Sequence, residues 1–148
     1  MMQAPSLDAR GRLGATRRPC ILVVDDYPDT LDVWTLSLGA AGFDVVTATD
    51  GFEAVTTAQA LVPDLIVLDL GLPGRSGCEV AAILRETPAT SHIPLIAATG
   101  FSHKAQLERA RRVGFDVIMI KPCDPVDLIA HIARLIADTA ASPRRASN

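Results

Sequence analysis

Four times along this chain an apolar, largely β-branched run ends abruptly on a polar signature. Cys20-Ile21-Leu22-Val23-Val24 meets Asp25-Asp26, Leu65-Ile66-Val67-Leu68 meets Asp69, Leu95-Ile96-Ala97-Ala98 meets Thr99, and Val117-Ile118-Met119-Ile120 meets Lys121-Pro122. Unbroken apolar runs bounded by Gly, Pro or Asp read as strands buried on both faces. With a further run at Phe43 to Ala48, the pattern predicts strands over 20–24, 43–48, 64–68, 94–98 and 116–120. Helical patterns alternate with them over 28–41, 51–61, 77–86, 103–113 and 125–137.

The punctuation agrees. Asp50 with Glu53 three residues on resembles a capping box, and Asp124-Pro125 sets a cap residue before a proline at the first helical position. Gly42 and Gly114 stand where a left-handed residue ends a helix, and each leads into Phe-Asp-Val and a new strand. Alternating strands and helices with short connections imply right-handed crossovers and a parallel sheet covered on both faces. A closed eight-stranded barrel needs about 250 residues, and this chain has 148. The expected fold is therefore an open, doubly wound, flavodoxin-like (βα)5 sandwich with strand order 2-1-3-4-5. No Gly-x-Gly-x-x-Gly follows the first strand and no Walker lysine loop occurs, which disfavours nucleotide-binding versions of the architecture.

Composition narrows the function. Hydrophobic residues make up 49% and aromatics only 4%, so the core is aliphatic. A formal charge of −3 offers no basic field for nucleic acid and does not favour acidic substrates. Cys20, Cys78 and Cys123 lack the paired spacing of a zinc or redox motif, and His92, His103 and His131 lack ligand spacing. A reduced, cytoplasmic compartment is expected. No apolar stretch approaches the roughly 20 residues of a membrane span. The arginine-bearing first residues have no apolar core of a secretory signal, so residues 1–18 and 139–148 are expected as disordered tails around one domain over 19–138.

In a sheet of this order the polar signatures collect at one edge, at the topological switch point. Asp25, Asp26 and Asp69 would then lie a few ångströms apart, repelling by about 4 kcal/mol per pair at an effective dielectric near 20. A cation must hold them together, and an all-oxygen ligand set without His or Cys suits Mg2+. Lys121 adds a fixed positive charge and Thr99 a hydroxyl. This is equipment for stabilising a transferring phosphoryl group, with an ionised aspartate as nucleophile. Asp69 is the best placed, on the strand between those carrying Asp25-Asp26 and Thr99.

Taken together, Ile21-Leu22-Val23-Val24-Asp25-Asp26, then Asp69-Leu70-Gly71-Leu72-Pro73 with Gly77, Thr99-Gly100 and Lys121-Pro122 make the chain resemble a response-regulator receiver domain of two-component signalling. The resemblance implies that Asp69 accepts a phosphoryl group from a histidine kinase or histidine phosphotransfer protein. It implies that Asp26, Asp69 and the Gly71 carbonyl coordinate Mg2+ directly, with Asp25 assisting through water. Thr99 and Lys121 would bind phosphoryl oxygens, with Lys121-Pro122 commonly a cis bond. Such a module is not an enzyme beyond its own phosphorylation and dephosphorylation.

Two positions depart from the family. Ile118 stands where a switching aromatic ring is usual, and Cys123 where Phe is frequent. The short remainder after the last helix leads to the expectation of a stand-alone module that signals by binding a protein. Ile118 supports an alternative, a phosphorylation-independent adaptor, and Phe101 is a candidate replacement for the moving ring. A dehalogenase-type phosphatase would need a carboxylate where Gly71 stands.

Overall fold

The protein's structure, a computed structural model, describes residues 17–100 and 103–141. Five strands alternate with five helices: β1 (Cys20–Val24), α1 (Pro28–Ala40), β2 (Asp44–Ala48), α2 (Gly51–Leu61), β3 (Leu65–Leu68), α3 (Gly77–Glu86), β4 (Leu95–Thr99), α4 (Lys104–Val113), β5 (Val117–Ile120) and α5 (Pro125–Ala141). All pairings are parallel and the sheet order is β2-β1-β3-β4-β5. This is the flavodoxin-like arrangement expected from the apolar runs.

Strand alternation divides the core in two. Leu22, Val24, Ile66, Leu68, Leu95 and Ala97 face one way, onto Ala54 and Ala58 of α2, Val80, Ala81 and Leu84 of α3, and Ala110 of α4. Ile21, Val23, Leu65, Val67, Ile96 and Ala98 face the other way, onto Leu31, Trp34 and Leu38 of α1 and Leu128, Ile132 and Leu135 of α5. The three central strands β1, β3 and β4 are buried throughout, whereas β2 and β5 are only partly covered. The outer strands have a neighbour on one side only, and α4 buries just Ala110 beside β5.

Local chemistry sets the boundaries. The Asp50 carboxylate accepts from the Glu53 N–H at 2.8 Å, while Glu53 reaches back to the Thr49 N–H at 2.7 Å. Ser76 and Glu79 form a full reciprocal capping box on α3. Gly42 and Gly114 take positive φ as expected, and Gly74 joins them. Val62 ends α2 with φ of 45°, a conformation costly for a β-branched residue.

Near both ends of the expected domain the structure adds contacts and helix. Arg17 and Arg18, placed in the tail by the sequence reading, are engaged: Arg17 pairs with Asp64 at 2.6 Å, and Arg18 donates to the carbonyls of Gly39, Gly42 and Phe43 at the end of α1. A guanidinium there places a cation at a helix C-terminus, where the helix dipole favours it. Helix α5, expected to stop at Ala137, runs to Ala141. Asp138-Thr139-Ala140-Ala141 contains no breaker, and Thr139 folds its hydroxyl onto the Leu135 carbonyl at 2.8 Å. Residues 1–16 and 142–148 lie outside the described residues.

At the N-terminal edge of the sheet two aspartates tie neighbouring strands. Asp64 accepts from the Cys20 N–H at 2.7 Å, and Asp116 from the Leu95 N–H at 2.9 Å. Each is paired with an arginine. Arg85 also donates to the carbonyls of Ser91, Ile93 and Gly114, fastening the end of α3 to the α4–β5 corner. These ties leave the opposite edge free to carry chemistry.

Candidate functional site

At the C-terminal edge, β1 delivers Asp25 and Asp26 and β3 delivers Asp69, because the two strands are neighbours in register. The Asp69 N–H closes the ladder onto the Val24 carbonyl at 3.0 Å. Oxygens of the three carboxylates lie within 4.8 Å of one another. Asp25 is buried, Asp69 partly covered and Asp26 exposed. Strand β5 brings Lys121 across, and its ammonium donates to Asp25 Oδ2 at 2.5 Å and to Asp69 Oδ2 at 3.3 Å. The Lys121 N–H binds the Thr99 carbonyl at 2.8 Å, and the Lys121–Pro122 peptide is cis.

Burial pulls the Lys121 ammonium toward its neutral form, but the hydrogen bonds and charges of Asp25 and Asp69 outweigh that and raise its pKa above the ordinary lysine value. The lysine is therefore a permanent cation at neutral pH. Asp25 is held twice, since its other oxygen accepts from the Tyr27 N–H at 2.9 Å. Asp69 Oδ1 accepts from the Gly71 N–H at 3.1 Å, curling the loop over the carboxylate.

Asp69, Gly71, Thr99, Gly100 and Lys121 line one cleft of about 260 Å³. The structure thus brings together all six residues singled out in the sequence: Asp25, Asp26, Asp69, Gly71, Thr99 and Lys121. Ile118 is not among the cleft's lining residues; it packs, half-buried, against the core under α3 and α4. Phe101 lies outside the described residues. Burial pushes the thiols of Cys78 and Cys123 up, which makes them poor nucleophiles at neutral pH.

The donor set fits a small hard cation. Three carboxylates offer oxygen only, Asp26 has no cation partner among the described residues, and the one ammonium present neutralises Asp25 and Asp69 alone. A divalent ion at the Asp26 side would complete the neutralisation that Lys121 begins.

Missed by the sequence reading was the support of the loop after Asp69. A Cβ on Gly77 would meet the Leu70 Cα at 2.7 Å, so α3 backs directly onto the peptide that follows Asp69. The Gly77 N–H binds the Leu70 carbonyl at 2.9 Å. The Phe52 ring carries the Arg75 guanidinium at 4.6 Å. A Ser-x-x-Glu spacing at 76–79 announces the α3 cap, but nothing in the sequence pairs Phe52 with Arg75.

The family model of the response regulator receiver domain matches residues 21–133. The DNA-binding response regulator MtrA of Mycolicibacterium smegmatis is 38% identical over 121 residues, covering 81% of this chain and 52% of that protein. The chain thus spans about half the length of the curated MtrA relatives it matches. Among solved structures, the receiver domain of a signal transduction histidine kinase from Syntrophus aciditrophicus superposes with a TM-score of 0.77 at 28% identity, over 88% of this chain and 97% of that one. The receiver domain of the Pseudomonas aeruginosa sensor histidine kinase PA1611, solved with a magnesium ion coordinated in its active site cleft, gives 0.77 at 26% identity, over 82% and 99%. Matched across the span that carries the acidic edge and the lysine, this chain belongs to the response-regulator receiver domains of two-component signalling.

Proposed function

We propose that this chain accepts a phosphoryl group on Asp69 from a phosphohistidine of a histidine kinase or histidine phosphotransfer protein in the cytoplasm, and signals by binding a protein partner. The observation that carries the reading is the Lys121 ammonium bridging Asp25 and Asp69 beside an unneutralised Asp26. That arrangement supplies a carboxylate nucleophile and a cation already positioned for negative charge.

In the proposed step an Asp69 oxygen attacks phosphorus in line, the P–N bond of the donor breaks, and its imidazole takes up a proton. Lys121 turns one N–H from Asp69 to a phosphoryl oxygen while keeping Asp25, and Thr99 donates its hydroxyl to another. Asp26, Asp69 and the Gly71 carbonyl would hold Mg2+, with Asp25 acting through water; the bound ion supplies positive charge against that building on the phosphoryl oxygens. Water attack on the acyl phosphate regenerates Asp69, so the module resets itself without turning over a separate substrate.

The MtrA relatives that are named as DNA-binding are about twice as long as the matched region, and the net charge of −3 supports a protein surface as the partner of this part. Among the described residues no helix is long and apolar enough to cross a membrane. The test is incubation with acetyl phosphate and Mg2+ followed by intact mass. An adduct of about 80 Da, one phosphoryl group, that needs Mg2+ is expected; an unmodified wild-type mass at saturating donor contradicts the proposal.

A further inference from the structure

The segment from the end of β2 into the first turn of α2 touches both loops that carry the proposed metal ligands. On one side the Asp25 N–H, at the head of the Asp25-Asp26 loop, binds the carbonyl of Ala48 at 3.2 Å, just before α2. On the other side the Gly51 N–H binds the Pro73 carbonyl at 3.1 Å, in the loop that contains Gly71. The approach is close enough to require glycine: a Cβ on Gly51 would stand 2.6 Å from the Arg75 Cβ. Phe52 then lays its ring over the same loop, so near that a Cβ on Gly74 would meet it at 2.7 Å, and Arg75 covers the ring's face.

Phe52 nevertheless remains 54% exposed. A large aromatic ring half in water adds little to the core, and its contacts fall on Gly74 and Arg75 of the loop. Leu70 and Leu72 on either side of Gly71 are buried, and the loop continues outward through Pro73, Gly74 and Arg75, its outer half. The contacts of Gly51 and Phe52 fall on that outer half.

We propose that Gly51 and the Phe52–Arg75 stack are positioning residues for the cation site, a strut that sets the Gly71 carbonyl at ligand distance from Asp26 and Asp69. This rests on the reading of those three groups as Mg2+ ligands. Without the strut the loop must be ordered when the ion binds, and that ordering weakens affinity.

The experiment is titration calorimetry of the full chain with Mg2+ alone, alongside thermal melting without metal. Phe52→Ala and Arg75→Ala should each raise the Mg2+ dissociation constant by about two- to fivefold, the worth of an exposed cation–π contact on the affinity scale. The double variant should lose no more than the weaker single variant, since the two act as one stack. Phe52→Tyr should bind as wild type, and Gly51→Ala should lose more than either alanine variant. Unchanged Mg2+ affinity in both Phe52→Ala and Arg75→Ala, whatever happens to their melting temperatures, overturns the strut. A wild-type chain that binds no Mg2+ overturns the metal-site reading, and the strut with it.

Discussion

Replacing Lys121 by methionine removes the one cation that the described residues place among the three carboxylates, while keeping the length of the side chain. At an effective dielectric near 20, the ammonium attracts carboxylate oxygens at 2.5 and 3.3 Å by about 7 and about 5 kcal/mol, while two carboxylates with oxygens within 4.8 Å repel by at least about 3.5 kcal/mol. Desolvation and side-chain ordering offset most of the attraction, and breaking a buried pair by removing one partner costs about 3–5 kcal/mol. Asp25 is the partner left behind, with its side chain only 4% exposed, while the lysine side chain is 26% exposed at the cleft. Cleft water and the Tyr27 N–H soften the loss, so Lys121→Met should destabilise the metal-free protein by about 2–3 kcal/mol.

Urea unfolding reads this as a midpoint lowered by about 1 M. Asp25→Asn in the same chain should recover at least half of it, and saturating Mg2+ should narrow the gap by restoring a cation. The pH dependence has a defined sign. Because the folded-state pKa of Lys121 is raised, its contribution is complete below the ordinary lysine value near 10.5 and is lost as pH rises through the higher folded value. The difference between wild type and Lys121→Met should therefore stay flat from neutral to mildly alkaline pH and shrink only above it. A Lys121→Met protein within about 0.5 kcal/mol of wild type at pH 7 without metal, the level of an inconsequential surface change, would refute the reasoning.

Asp26→Asn removes a carboxylate that repels its neighbours and has no cation partner among the described residues, so metal-free melting should rise by about 3 °C while Mg2+ no longer stabilises the protein. Arg85→Ala should cost about 2–4 kcal/mol in urea unfolding, because three carbonyls and Asp116 lose their shared donor, and Arg85→Lys should restore little of it. Ile118 is stiff at χ1 and cannot swing as a ring does, so beryllofluoride with Mg2+ should shift the amide signals of α4, β5 and α5 less in wild type than in Ile118→Tyr. Equal responses of the two proteins across those elements would contradict that role for position 118.

Much of the fold was legible because strand, helix and cap signals agree with one another. The β-branched run at 20–24 could only be a strand, and its successor Asp25 had to lie at the sheet edge once five such runs alternated with helices. The site was legible for the same reason: residues directly after parallel strands converge whatever their separation in the chain. What stayed hidden depends on side chains reaching across the structure. Arg17 and Arg18 looked like tail residues because their partners, Asp64 and the end of α1, lie more than 20 positions away. Val62 ends α2 without a glycine, so local propensity gave no sign of its left-handed backbone. The second role of Lys121, neutralising Asp25 before any phosphoryl group arrives, needed the 2.5 Å contact to be seen.

The central claim is that Asp69 carries the phosphoryl group. Peptide mass mapping of the chain after acetyl phosphate and Mg2+ tests it most directly, with Asp69→Asn treated in parallel. The account predicts one modified peptide, containing Asp69, and no modification anywhere in Asp69→Asn. A phosphoryl group found on another residue of the wild-type chain, or undiminished labelling of Asp69→Asn, would contradict it.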